Sequence, residues 1–242
     1  MTASIPIIRL SNISFAYPAS PPVLKHLDLT MNTDDRIGLV APNGSGKTTL
    51  FHVIMGLLKP TAGKIELFGK EVAKEKDFLE VRRRIGLLFQ DADDQLFSPT
   101  VIEDVAFGPL NQGSSKEEAL EKSRKTLEFL GLLGFEERIT FKLSGGEKRL
   151  VSLATVLAMS PEAMLLDEPT TGLDNHTKSK LIQVIKSLSI PLIAISHEFD
   201  FLKAATNKIY TLEDGKIQMD HEIYLHPHEH AHVMGRQPHR HV

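Results

Sequence analysis

The run Ala41-Pro-Asn-Gly-Ser-Gly-Lys-Thr stands where an apolar stretch, Arg36 to Val40, gives way to a helical one, Lys47 to Leu58. No other feature restricts what this chain can fold into as strongly. A short buried strand that passes through a glycine-rich turn into a helix is the setting a phosphate-binding loop requires. Asn43, Gly44, Ser45 and Gly46 form the turn, and the last three are small enough for successive backbone N–H groups to curl around phosphate oxygens. The helix that follows offers its positive end to the same oxygens. Lys47 can reach β and γ oxygens, the Thr48 hydroxyl can ligate Mg²⁺, and Thr49 extends the oxygen-binding edge. Ala41 occupies a position that is Gly in the general pattern; its Cβ would clash only if the backbone needed a positive φ, and accommodation is expected.

Met164-Leu-Leu-Asp-Glu-Pro-Thr reads as an apolar strand whose end presents two adjacent acids. Such a placement is costly inside a core without a cation or hydrogen-bond partner. Asp167 can hold a Mg²⁺ shell, while Glu168, one residue on and pointing elsewhere, can orient or deprotonate an attacking water. Upstream, Leu143-Ser-Gly-Gly-Glu-Lys-Arg precedes a helix expected from Glu147 to Met159. Ser144 and the amides of Gly145 and Gly146 therefore make a second anion cradle at a helix N-terminus.

This combination resembles the ABC (ATP-binding cassette) ATPase family, whose signature is the Leu-Ser-Gly-Gly run upstream of an acidic strand. The resemblance implies an α/β P-loop NTPase core with an antiparallel β lobe and an inserted helical signature subdomain at about 91–160. It further implies a head-to-tail dimer, either a homodimer or a pair with a paralogous ATPase. In that dimer the Lys47 loop of one subunit and Ser144, Gly145 and Gly146 of the other sandwich each ATP, with Mg²⁺ held by Thr48, Gln90 and Asp167. Carried over residue by residue, Tyr17 resembles the aromatic that stacks on adenine. Gln90 resembles the glutamine that senses Mg²⁺ and the membrane partner, Asp174 the dimer-contact loop, and His197 the histidine at the γ-phosphate. Read singly, a Tyr ending a strand is a packing residue, with Phe15 two positions away on the same face.

The rest of the chain fits that frame. Ile7 to Tyr17, Lys64 to Phe68, Ile85 to Phe89, Ala163 to Asp167, Pro191 to Ile195 and Lys208 to Leu212 read as strands, several separated by helices, which implies a largely parallel sheet. Pro18 to Pro22 reads as a turn. Gln90 to Ser160 is mostly helical, with Ser115 and Glu118 forming a capping box for a helix toward Leu130. With 242 residues, 41% of them hydrophobic, a single domain of about 200 residues plus an appendage is expected. The boundary is placed at 1–220 and 221–242. A net charge of −3 gives no pointer to nucleic acid, and the lack of cysteine excludes disulfides and thiolate chemistry. The N-terminus has no signal-peptide pattern and no apolar run spans a bilayer, so a membrane role would come through partners at the cytoplasmic face.

Phe89-Gln-Asp-Ala-Asp-Asp-Gln-Leu-Phe-Ser-Pro-Thr and the following Val101 to Pro109 are similar to the energy-coupling factor branch, in particular to cobalt and nickel transporter ATPases. That likeness implies a transmembrane scaffold subunit docking near Gln90–Pro109 and a membrane substrate-binding subunit. Vitamin transporters of the branch use related wording. Seven of the eleven histidines (His221, His226, His228, His230, His232, His239 and His241) fall after residue 220. Neutral imidazoles there, His226, His228, His230 and His232 above all, can bind nickel, cobalt, zinc or copper, and the segment is expected to add nothing to the core. A cassette without transport, or a metal-storage module dominated by the tail, are the competing readings.

Overall fold

A computed structural model describes residues 6–218, in which two sheets share the work of burying α1. The chain opens with β1 (Ile8–Ala16) and β2 (Pro22–Met31), antiparallel neighbours in a four-stranded sheet ordered β2-β1-β4-β5. Next come β3 (Arg36–Val40), α1 (Lys47–Ile54), β4 (Ala62–Leu67), β5 (Lys70–Val72), α2 (Glu75–Arg84) and β6 (Ile85–Leu88). Helices α3 (Val101–Asn111), α4 (Lys116–Phe129) and α5 (Gly145–Leu157) follow, before β7 (Ala163–Asp167), α6 (Asn175–Ser187), β8 (Leu192–Ile195), α7 (Phe199–Ala205), β9 (Lys208–Glu213) and β10 (Lys216–Gln218).

The second sheet has the order β10-β9-β3-β8-β7-β6 and is parallel from β9 to β6, with β10 alone reversed. Both of its faces are covered, which is why its strands read as unbroken apolar runs. Along β7 the alternation divides the cores: Ala163 and Leu165 join the cluster with α1 and the small sheet, while Met164 and Leu166 join the one under α3, α4 and α5. Each fully buried aliphatic side chain contributes about 1.5–3 kcal/mol. Those residues offset the several kcal/mol that an ionised group costs at the strand's buried end.

Strand β2 begins at the last proline of the segment read as a turn. Pro22 opens an edge strand, a position that needs no ladder N–H. The period of two is broken because His26 takes a positive φ of 51°, so that Leu24 and Leu27, three apart, both face the core. That bulge removed the alternation by which a strand is recognised. Helix α1 is shorter than Lys47 to Leu58. It ends at Ile54, and Gly56 at φ 66° turns the chain away, with the Phe78 ring 2.3 Å from where a Cβ would stand. Helix α5 starts earlier than Glu147, directly after Ser144, and α4 starts after its Ser115–Glu118 capping box. Residues 221–242, with all seven tail histidines, lie outside the described residues.

Candidate functional site

Parallel pairing brings the C-terminal ends of four strands into one row: Leu39 and Asp167 both flank Ile195, and Leu88 flanks Leu166. Ligands of open α/β sheets bind at such an edge. Beyond β3 the chain enters the loop 41–46, beyond β7 lies Glu168, beyond β8 lie Ser196 and His197, and beyond β6 lie Phe89 and Gln90.

Loop 41–46 owes its shape to its glycines. Gly44 and Gly46 sit at φ 80° and 95°, and a Cβ on Gly46 would come within 2.7 Å of a Val23 methyl. Ala41 is buried and has no positive φ, so its methyl is accommodated as expected. The helix it feeds has no side-chain cap at Gly46, which leaves the first amides of α1 facing the loop. Lys47 Nζ donates to Asn43 Oδ1 at 3.2 Å and to Glu168 Oε1 at 2.8 Å. His197 Nδ1 lies 3.0 Å from the other Glu168 oxygen, to which the Thr171 hydroxyl also donates at 3.2 Å. Glu168 is buried, yet His197 has 60% of its side chain exposed, so the row Lys47–Glu168–His197 runs from the interior to the open cleft. Backbone strain helps to aim this carboxylate: Glu168 has a φ of 44°, in the left-handed region, which turns it out of line with Asp167.

The two acids titrate in opposite directions. Burial pushes Glu168 up, but hydrogen bonds from Lys47 and His197 and their charges outweigh it and hold the carboxyl below its ordinary value. For Asp167 burial dominates and raises the value, only partly countered by the Thr48 hydroxyl, which donates to Oδ2 at 2.8 Å, and by Lys47. Among the described residues Oδ1 of Asp167 is buried without a hydrogen-bond partner, as is the Ser45 hydroxyl. An orphaned carboxylate oxygen beside a threonine hydroxyl is a donor set that fits a hard divalent cation, and an orphaned serine in a loop of amides fits a phosphate oxygen.

A group whose folded pKa is raised lends stability below its unfolded value, and that contribution is lost as pH rises through the folded value. At neutral pH Asp167 is therefore a net cost. Asp167→Asn is expected to raise Tm at pH 7.5 in EDTA, by about 2–4 °C for each 1 kcal/mol recovered. Calorimetry should show the gap closing as pH falls through the carboxylate range, and the variant should lose Mg²⁺-dependent ATP affinity. An unchanged or lower Tm would mean that burial of Asp167 carries no such cost.

Thr48, Gln90, Asp167 and Gly145 line one cleft of about 710 Å³. Tyr17 lies elsewhere. It is 42% exposed, its hydroxyl is 3.1 Å from that of Thr49, and its ring stands edge-on to Phe15. With Asn43, Gly44 and Ser45 it lines a second cavity of about 550 Å³. The Ser144 hydroxyl is engaged in its own capping box, donating to Glu147 Oε2 at 2.9 Å and accepting the Glu147 N–H at 3.3 Å. Asp174 caps α6 through the amides of His176 and Thr177 at 2.9 and 3.0 Å.

Sequence reasoning missed Arg149. Its guanidinium donates to the carbonyls of Phe89, Gln90, Asp167, Glu168 and Pro169, the segments that carry the site's glutamine and both acids. Burial pushes it down to about 10 despite the charges of Asp167, Asp91 and Glu168. One signal was available: Arg149 precedes Ser152, Leu153 and Val156 at helical spacing, on the face of α5 that is buried.

Order of strands, loop and acids together define a P-loop nucleotide hydrolase. Among the described residues no helix is long and apolar enough to cross a membrane. The sequence profile described as "ABC transporter" matches residues 24–171. A putative ABC transporter ATP-binding protein of Nitratidesulfovibrio vulgaris is 47% identical over 241 residues, 99% of this chain and 88% of that protein. The energy-coupling factor transporter ATP-binding protein EcfA of Methanothermobacter thermautotrophicus is 41% identical, over 87% of this chain and 69% of its own length. Among solved structures, CbiO1 of Clostridium perfringens, part of the CbiONQ ABC transporter complex, superposes with a TM-score of 0.79 at 30% identity, covering 88% of this chain and 87% of that one. A dimeric ATP-binding cassette in a post-hydrolysis state with ADP and Pi gives 0.79 at 25% identity, covering 87% and 96%. The chain belongs to the ABC transporter ATP-binding family, and it is an ATPase that binds ATP.

Proposed function

We propose that this chain is the ATP-hydrolysing subunit of an energy-coupling factor importer that takes up nickel or cobalt ions. The observation that carries the enzymatic part is the row Lys47–Glu168–His197, a buried carboxylate held ionised between a phosphate-binding lysine and an exposed imidazole. Lys47 and the amides of Gly44 to Gly46 hold the β and γ phosphates. As they do, Lys47 leaves Glu168, which is then free to accept a proton from water. His197 contacts the γ-phosphate, Tyr17 the adenine, and Thr49 the oxygen-binding edge. Thr48, Asp167 and Gln90 are the residues that would hold Mg²⁺, which when bound supplies positive charge against the phosphate oxygens. Ser144, Gly145 and Gly146 complete the site from the opposite subunit of a homodimer or of a paralogous pair, with Asp174 at the contact between them.

The transport part has its own support. Beside Gln90 an apolar groove of about 340 Å³ is lined by Phe97, Phe107, Leu87 and Met159. Phe97 is 66% exposed and packs edge-to-face on Phe107 at 4.8 Å. Contiguous exposed apolar surface of this kind marks a place where a protein partner binds. The groove suits a transmembrane scaffold subunit docking over Gln90–Pro109 and would hold the chain at the cytoplasmic face of the membrane, alongside a substrate-binding membrane subunit. The relatives named EcfA and CbiO1 favour this branch. In the same reading residues 1–220 form the ATPase domain, and 221–242, with His226, His228, His230 and His232, a segment that binds transition metals.

The test is uptake of radioactive nickel and cobalt by cells expressing the chain with its membrane partners, comparing wild type, Glu168→Gln and a deletion of 221–242. Metal uptake lost with Glu168→Gln is the expected result. Absence of uptake in the wild type would move the cargo to a vitamin, and normal uptake without residues 221–242 would remove the tail from the function.

A further inference from the structure

We propose that Arg149 is a positioning residue that ties the helix carrying Ser144 to both acidic and glutamine-bearing strand ends of the nucleotide site. The inference rests on the reading of Asp167, Glu168 and Gln90 given above. Nε donates to the Pro169 carbonyl at 2.9 Å, and one terminal nitrogen to those of Asp167 and Glu168 at 2.9 Å each. The other terminal nitrogen donates to the carbonyls of Phe89 and, at 3.3 Å, of Gln90. These carbonyls lie at the ends of two adjacent parallel strands, β6 and β7. A buried arginine is ordinarily neutralised by a carboxylate. Among the described residues no carboxylate is hydrogen-bonded to this one, although Asp167 and Glu168 are next to it. The guanidinium takes the backbone dipoles and leaves both carboxylates to their other partners, Thr48 for one and Lys47 with His197 for the other.

Arg149 stands five residues along α5 from Ser144, about 7.5 Å of helix rise. A packed helix moves as a unit, so a displacement of its N-terminus is carried to the guanidinium and through it to the Mg²⁺-binding and water-facing residues. Only a planar fork with five donors spans both strand ends; an ammonium reaches one of them. Arg149 therefore sets where Gln90, Asp167 and Glu168 stand relative to the phosphate loop, which it does not touch.

The prediction separates this role from a structural one. In Arg149→Lys and in Arg149→Gln, ATP affinity measured in EDTA, which depends on loop 41–46, should stay within about twofold of wild type. The gain in affinity on adding Mg²⁺ should shrink about tenfold and kcat should fall about 30-fold or more, magnitudes in the range that misplacement by about 1 Å produces. Equal weakening with and without Mg²⁺, or kcat and Mg²⁺ response within threefold of wild type, would overturn the proposal. So would loss of a cooperative thermal transition in both variants, which would assign Arg149 to the fold alone. Glu168→Gln serves as the reference. If it turns over normally, the reading of the site has failed; if it is inactive while Arg149→Lys is normal, only the present inference has.

Discussion

Glu168→Gln is expected to lower ATP turnover about 1,000-fold while ATP affinity stays within about threefold of wild type. A positioned general base contributes about 10²–10⁴ in rate. A factor of 1,000 is about 4 kcal/mol of barrier. Glutamine keeps the shape and one acceptor for Lys47 but has no basicity, and it leaves the phosphate loop, Thr48 and Asp167 untouched. The variant should accumulate in the ATP-bound closed dimer, visible as a shift to twice the mass on gel filtration with ATP and Mg²⁺. It should also be less stable than wild type without nucleotide, since Lys47 is then buried beside a neutral partner, and regain that stability as ATP is added. Turnover at the wild-type rate would remove Glu168 from the chemistry.

Lys47→Ala is expected to act on binding and on the fold at once. The lysine and Glu168 are 2.8 Å apart and both largely buried, and breaking such a pair by deleting one partner costs about 3–5 kcal/mol. The lower end applies, because His197 and the Thr171 hydroxyl still hold Glu168. For a domain of this size about 3 kcal/mol is a fall in Tm of about 6–12 °C. The pH dependence follows from the Glu168 carboxyl, whose folded value is depressed. Its stabilising contribution is present above the unfolded value and lost as pH falls through the folded one. The Tm difference between wild type and Lys47→Ala should thus be largest near pH 7–8 and narrow as pH drops through the carboxylate range. ATP affinity should fall by at least tenfold in titration calorimetry. Wild-type affinity in a folded Lys47→Ala chain would mean that the phosphate loop lies elsewhere.

Much of the site was legible because its chemistry is written in contiguous runs. A loop that must expose successive amides needs Gly44 and Gly46 at fixed offsets, and the lysine and threonine that follow enter the helix at once, so one glance at residues 41–49 recovers them. The strand with paired acids and the capped helix behind Leu143 are equally local. Strand β2 was hidden by the positive φ at His26, which shifts its inward-facing residues out of period. Arg149 was hidden for another reason. In a helix beginning Gly-Gly-Glu-Lys-Arg a charged pair reads as a solvated face; helical spacing to Leu153 and Val156 hints at the inner position, and the docking of α5 over the ends of β6 and β7 shows that Arg149 is the buried one.

The sequence by itself determined the phosphate loop, the paired acids, the alternation of strands and helices and the family they define, because each motif is a contiguous run and the family is read from the order of those runs. Tertiary structure alone decided that Lys47, Glu168 and His197 form one hydrogen-bonded row, that Asp167 keeps an oxygen with no partner among the described residues beside Thr48, and that one guanidinium is hydrogen-bonded to two strand ends. Those facts join residues from 18 to 121 positions apart, and their energies come from burial and charge, neither of which exists until the parallel sheet brings its strand ends into a single row.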